Sequence, residues 1–217
     1  MQDRPWLNKY DDGVPHSINY PSSSVPVMLA ESAQKYPEKP CTIFKGASIS
    51  YRRMDELSDY LAVALINQGV NPGDRVGILL PNIPQFVLAY FAILKAGGVV
   101  VAINPQYKAN EIEIQVNDSG IEIMIALSSS YTLLKQIQPR TCLKTIIVTD
   151  INEYLPQVLS LIFKLTRTEQ HGKQTIISAN DCWLKHLLEQ QPAGARPSVS
   201  ISPEDHALFQ YSGGTTG

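Results

Sequence analysis

The chain has 217 residues, 44% of them hydrophobic and 18% charged, and its 18 Lys and Arg against 20 Asp and Glu give a formal charge of −2. That apolar share is too high for a disordered chain, and this length buries about 70% of the unfolded surface. No basic stripe is present, which argues against sequence-independent nucleic-acid binding and leaves no nucleic acid among the expected partners.

Residues 1–6 lack the charged-then-apolar build of a signal peptide. The longest apolar run, 86–94, falls well short of the roughly 20 residues of a membrane span. Cys41, Cys142 and Cys182 are odd in number and far apart, with no metal-ligand spacing, so a reducing, cytoplasmic setting is expected.

Ser24 is placed to cap a helix over 25–36 that carries Met28, Leu29, Ala33 and Tyr36 on one face. Residues 41–44 and 48–50 flank Lys45-Gly46-Ala47 in the pattern of a short hairpin. Met54, Leu57, Leu61, Ala62 and Leu65 recur at helical steps and predict a helix over 51–68, stopped by Gly69. The turn Asn71-Pro72-Gly73-Asp74 feeds an all-apolar strand at 76–80, of the kind buried on both faces. A helix at 85–96, a strand at 99–103, a helix at 110–118 and a strand at 121–127 repeat the unit, and 145–148 adds another strand. Such alternation predicts an α/β fold, a mainly parallel sheet with flanking helices.

Past Asp150 the alternation fades. Leu155, Val158, Leu159, Ile162 and Leu165 form an apolar stripe with Lys164 and Arg167 near its end. It reads as a packed helix or, alternatively, as an interfacial helix over 155–166 set against anionic lipid at the inner membrane face. An apolar patch at 183–188, a Pro/Ser/Ala connector at 190–203 and a short strand at 207–211 follow. Asp55 with Glu56, and Glu111 with Glu113, read as solvated helix charge, and Lys95 as a residue that suits the end of its helix dipole. His16, His171, His186 and His206 have no mutual spacing that assigns them a role.

The chain closes on Ser212-Gly213-Gly214-Thr215-Thr216-Gly217. Glycines permit positive φ, so consecutive backbone N–H groups can turn toward one anion, and the absence of Cβ atoms lets a phosphate approach. Ser212, Thr215 and Thr216 add hydroxyls. The loop lacks the lysine of a Walker A motif. Composition alone also fits a flexible linker, and the strand before it favours a nucleotide loop.

Together with Tyr211, this loop resembles the phosphate-binding signature of the adenylate-forming superfamily of acyl-CoA synthetases, luciferases and peptide-synthetase adenylation domains. Ser50-Tyr51-Arg52, Gly73-Asp74-Arg75-Val76, Pro81-Asn82, Leu94-Lys95-Ala96-Gly97, Asn104-Pro105 and Asn117-Asp118-Ser119-Gly120 match that family in the same order. The opening Trp6-Leu7-Asn8-Lys9-Tyr10 is similar to the start of bacterial long-chain fatty-acid–CoA ligases.

The resemblance implies a division into an extension (1–24), an α/β subdomain (25–150), a helix and connector (151–203), and a strand with phosphate loop (204–217), forming an incomplete N-terminal AMP-binding domain. It implies ATP, Mg²⁺ and CoA as cofactors and co-substrates, a fatty acid as substrate, and a homodimer as one partner state. Tyr211, Ser212, Gly213, Gly214, Thr215, Thr216 and Gly217 would meet the ATP phosphates, and one hydroxyl of Ser212, Thr215 or Thr216 would meet Mg²⁺. It supplies no catalytic group within 1–217, so the isolated chain is expected to be inactive. A related acid–thiol ligase for medium-chain or aryl acids, or a non-catalytic remnant, are the alternatives.

Overall fold

The computed structural model describes residues 4–20, 22–156 and 178–211. After a single 3-10 turn at Pro5–Lys9 come helix α1 (Val25–Lys35) and an antiparallel hairpin of β1 (Pro40–Phe44) and β2 (Ala47–Ser50). Lys45 and Gly46 take φ of 50° and 89°, the two positive values that let a two-residue turn follow the strands' twist. Ser50 then caps α2 (Tyr51–Asn67), its hydroxyl accepting the Arg53 amide at 3.3 Å.

The rest alternates: β3 (Arg75–Leu79), α3 (Pro84–Lys95), β4 (Val99–Ala102), α4 (Ala109–Ser119), β5 (Ile123–Leu127), α5 (Tyr131–Ile137), β6 (Thr145–Thr149), β7 (Cys182–Trp183), α6 (Leu184–Glu189) and β8 (Leu208–Gln210). The strands form one sheet in the order β7-β6-β5-β3-β4-β8, with every neighbouring pair parallel, as the alternation predicts.

Strand periodicity divides the core in two. Val76, Ile78, Val100, Ile123, Ile125 and Ile147 face a cluster built with α1, α2, α3 and α6. Leu79, Val101, Met124, Ala126, Ile146 and Val148 face the other cluster, with α4 and α5. The chain steps from β3 to β4 through α3 on the first face, then returns past β3 to β5 through α4 on the second. Right-handed crossovers require that change of face when the direction of travel reverses. Gly77 is needed where it stands, because a Cβ there would lie 2.5 Å from Sδ of the fully buried Met124.

Two expectations are corrected. In α1 the inward line is Pro26, Leu29 and Ala33, while Met28 and Tyr36 are exposed. Met28 is one residue, about 100° of turn, off that line. Lys95 is 6% exposed, and its ammonium donates to Asp55 Oδ1 at 2.7 Å, Asp59 Oδ1 at 2.6 Å and the Asp55 carbonyl at 2.9 Å. Close packing of α3 on α2 draws Lys95 and Asp55 inside, where the charges are matched to each other instead of to water. Glu56, Glu111 and Glu113 do remain surface charge, paired with Arg53, the Lys108 amide and Arg140 respectively.

The sequence pattern also missed α5 and β7. The buried Asp181 accepts the Ile146 amide at 2.8 Å, the Tyr131 phenol at 2.7 Å and the Lys135 ammonium at 3.1 Å, so it ties the start of β7 to β6 and α5. Connector residues 190–203 contain no regular element beyond single turns and cross α2, where the Gly194 amide donates to the Tyr60 hydroxyl and Arg196 approaches Asp59 at 3.5 Å. Of the 155–166 stripe only Leu155 and Pro156 are described; the remainder lies outside the described residues. No helix among the described residues is long and apolar enough to cross a membrane.

Candidate functional site

Because all six strands point one way, their carboxyl ends share one edge of the sheet. The segments leaving it are 80–83 after β3, 103–108 after β4, 128–130 after β5, 150–156 after β6, and Tyr211 after β8. The strand order reverses between β3 and β5, and open parallel sheets bind ligands outside the carboxyl ends of their strands at such a point.

Of the residues singled out for phosphate, Tyr211 is described; Ser212, Gly213, Gly214, Thr215, Thr216 and Gly217 lie outside the described residues, and with them all three hydroxyls offered to Mg²⁺. β8 pairs with β4 in the register Val100↔Leu208, Val101↔Phe209 and Ala102↔Gln210, which brings Tyr211 to the level of Ile103 at the carboxyl edge. Tyr211 packs against the second-face core, and its phenol donates to Asp118 Oδ2 at 2.5 Å. Burial first, then the hydrogen bond to the Asp118 carboxylate and its charge, push the phenol up to about 12. The hydroxyl therefore stays protonated and donating near neutral pH. Asp118 entered the sequence reading only as one letter of a matching segment. A side-chain contact spanning 93 residues leaves no local periodic signal.

A second group of polar side chains flanks the switch point and escaped the sequence reading altogether. Gln85, fully buried in the first turn of α3, donates to the Asp150 carbonyl at 2.8 Å and to Thr149 Oγ1 at 3.3 Å. The Thr149 hydroxyl donates to Glu153 Oε2 at 2.8 Å, the Asp150 amide to Glu153 Oε1 at 3.0 Å, and the Ser128 hydroxyl to the Asp150 carboxylate. Burial pushes the Glu153 carboxyl above the usual glutamate range, outweighing the hydrogen bonds that pull it down. A cleft of about 570 Å³ opens beside this group, lined by Ser50, Arg53, Tyr60, Glu153, Tyr154 and Lys185 among others. The network stitches the ends of β5 and β6 to α3 and stiffens this part of the edge.

Comparison with known proteins places this geometry. The family model of the AMP-binding enzyme matches residues 29–217. A long-chain-fatty-acid–CoA ligase of Bacillus subtilis is 32% identical over 217 residues, covering 99% of this chain and 38% of that protein. Its counterpart in Escherichia coli O6:H1 is 31% identical over 221 residues, covering 98% of this chain and 38% of that protein. Among solved structures, a long-chain-fatty-acid-CoA ligase (FadD1) from Archaeoglobus fulgidus superposes with a TM-score of 0.72 at 26% identity, covering 96% of this chain and 38% of its own. The anthranilate CoA ligase AuaEII, solved in complex with anthranoyl-AMP, shares the fold with a TM-score of 0.70 at 20% identity, covering 90% of this chain and 32% of its own. The present chain thus spans well under half the length of the relatives it matches.

Proposed function

The chain belongs to the AMP-binding enzyme family, and on that footing we propose that it is the phosphate-gripping part of an ATP-dependent long-chain fatty-acid–CoA ligase. In that reaction a fatty carboxylate attacks the α-phosphorus of ATP, giving an acyl-adenylate and pyrophosphate, and the thiol of CoA then displaces AMP. The chemistry asks the protein mainly to position the phosphates and neutralise their charge. Residues 212–217 supply what that requires: backbone N–H groups freed by Gly213, Gly214 and Gly217, with the hydroxyls of Ser212, Thr215 and Thr216 beside them. One of those hydroxyls meets Mg²⁺, and Tyr211 anchors the loop. The observation that carries the reading is the position of this sequence: it leaves the carboxyl end of a strand in a parallel sheet, in a chain similar along 99% of its length to a fatty-acid–CoA ligase.

The stripe 155–166 adds a finer element. Lys164 and Arg167 beside Leu159 and Ile162 suit a helix lying on anionic lipid at the inner membrane face, where fatty acids are collected. Liposome flotation of the chain and of its Leu159→Glu, Ile162→Glu variant tests this; equal flotation of the two removes it.

The function itself is tested by exchanging these 217 residues for the matching segment of the Bacillus subtilis relative. ATP–pyrophosphate exchange and acyl-CoA formation are then measured with palmitate, octanoate and benzoate. Palmitate-dependent exchange that disappears on Gly214→Val supports the reading. A folded chimera with no exchange on any acid overturns it, and exchange with benzoate alone overturns the long-chain assignment.

A further inference from the structure

We propose that the cleft between α2 and α6 binds a small amphipathic monocarboxylate, with Arg53 and Tyr154 holding the carboxylate and Ile49, Leu57 and Leu188 the apolar body. This site is independent of residues 212–217 and of how they act. At about 570 Å³ the cleft has the volume of a small-molecule site, and such sites pair apolar walls with a few placed polar groups. Leu57 of α2 belongs to the first-face core, and Leu188 of α6 and Ile49 of β2 pack against it, so the fold itself sets the apolar wall. Arg53 stands one turn before Leu57 on the same side of α2.

The polar groups point to a carboxylate. Tyr154 lines the cleft, and its hydroxyl makes no hydrogen bond among the described residues. The Tyr60 hydroxyl, which also lines it, is by contrast engaged, donating to Glu56 at 2.9 Å and accepting the Gly194 amide at 3.1 Å. Burial, with the Glu153 charge adding to it and the Arg53 charge offsetting it, pushes the Tyr154 phenol up to about 12, so it remains a donor. A half-buried donor without an acceptor is unfavourable, and a ligand oxygen relieves it. Arg53 is near enough for its charge to act on that phenol, and Glu56 takes only one of the N–H donors in its guanidinium fork, at 2.6 Å. The surrounding charges limit the ligand to a single negative charge. Lys185, the other cation of the cleft, lies 3.6 Å from Glu189 and also acts on Glu153, so it is answered from within. A polyphosphate would meet those two carboxyl groups with Arg53 alone to balance it, whereas one carboxylate matches the fork of one guanidinium.

The test follows the ¹H–¹⁵N spectrum of the labelled chain while octanoate is added, with octanol and inorganic phosphate as probes that carry the body or the charge alone. Saturable shifts on the amides of Ile49, Arg53, Tyr154 and Leu188 are expected with octanoate, and octanol and phosphate should each bind at least about tenfold more weakly. Arg53→Met and Tyr154→Phe are expected to weaken octanoate about tenfold and about fivefold. Ser48→Trp, at an exposed position that lines the cleft, fills the space without touching the core and should abolish the shifts. No saturable shift from octanoate in the folded parent overturns the proposal. Binding that survives both Ser48→Trp and Arg53→Met lies elsewhere and overturns it as well. Octanol binding as tightly as octanoate overturns recognition of the carboxylate, and phosphate binding as tightly overturns the apolar half. Weakening seen only in variants whose spectra depart from the parent's throughout the core overturns the roles of Arg53 and Tyr154.

Discussion

The Lys95 ammonium lies 2.6 Å from Asp59 Oδ1 and 2.7 Å from Asp55 Oδ1, so one buried cation bridges two carboxylates inside the contact between α3 and α2. Arg196 reaches the other oxygen of Asp59 from the connector at 3.5 Å, which makes two acids and two bases. Burial raises the Asp59 carboxyl even with Lys95 hydrogen-bonded to it, so taking the group out of water outweighs the pairing there.

Removing the cation alone should therefore be severe. Lys95→Met strips Asp55 of its buried cation and leaves Asp59 only the exposed Arg196 at 3.5 Å, and is expected to cost about 3 kcal/mol in urea denaturation. Adding Asp55→Asn and Asp59→Asn should recover much of that loss. Arg196→Ala, whose side chain is largely exposed, should cost less than about 1 kcal/mol. Equal effects at Lys95 and Arg196 would contradict the burial argument.

The register of the sheet is tested at Gly77. An added Cβ would meet Met124 Sδ at 2.5 Å and Ile121 Cδ1 at 3.2 Å. Gly77→Ala is expected to destabilise by about 1–3 kcal/mol through overpacking. Combined with Met124→Ala the two losses should be less than additive, because the smaller side chain vacates the space that the methyl needs. Additive losses would mean that the two residues do not oppose each other across β3 and β5.

Glu153 gives a pH signature. Burial raises its folded-state pKa above the ordinary glutamate value, so the folded chain holds that proton more tightly than the unfolded chain does. The sign follows from linkage: this carboxyl contributes stability as pH falls through the raised value toward the ordinary one, and the contribution is lost as pH rises again. The difference in urea midpoint between the parent chain and Glu153→Gln should shift in the parent's favour as pH is lowered from 7 toward 5. A difference independent of pH would contradict it.

Among the described residues no strand pairs with the far side of β8, which carries Leu208 and Phe209 at 37% and 36% exposure. An unpaired apolar edge favours association, and an inward or edge-placed lysine suppresses it. The chain should self-associate in sedimentation velocity at tens of micromolar, and Phe209→Lys should move it toward monomer. A parent that sediments as a monomer at every concentration would contradict this.

The fold was legible wherever a short repeat carried it. The runs at 76–80 and 99–103 and the stripe Met54, Leu57, Leu61, Leu65 predict β3, β4 and α2 because strand and helix burial write themselves into adjacent residues. β7 escaped because two residues carry no period; a buried aspartate from the residue before it holds the strand in place. Lys95 escaped for a different reason. A lysine near a helix end has the same local signature whether it faces water or two aspartates on another helix. The phosphate-loop reading of 212–217 comes from composition and family resemblance and falls outside the described residues, whereas the Tyr211–Asp118 contact and the Gln85–Thr149–Glu153 network depend on distant parts of the chain meeting.

The central claim is that the glycine and hydroxyl residues following β8 grip nucleotide phosphate. Its most direct test is the ¹H–¹⁵N spectrum of the labelled chain during titration with ATP and Mg²⁺. Saturable shifts concentrated on the amides of Gly213, Gly214, Thr215, Thr216 and Gly217, reproduced by pyrophosphate, are the predicted result. Shifts confined to the cleft around Arg53 and Lys185, with the 212–217 amides unmoved, would contradict it.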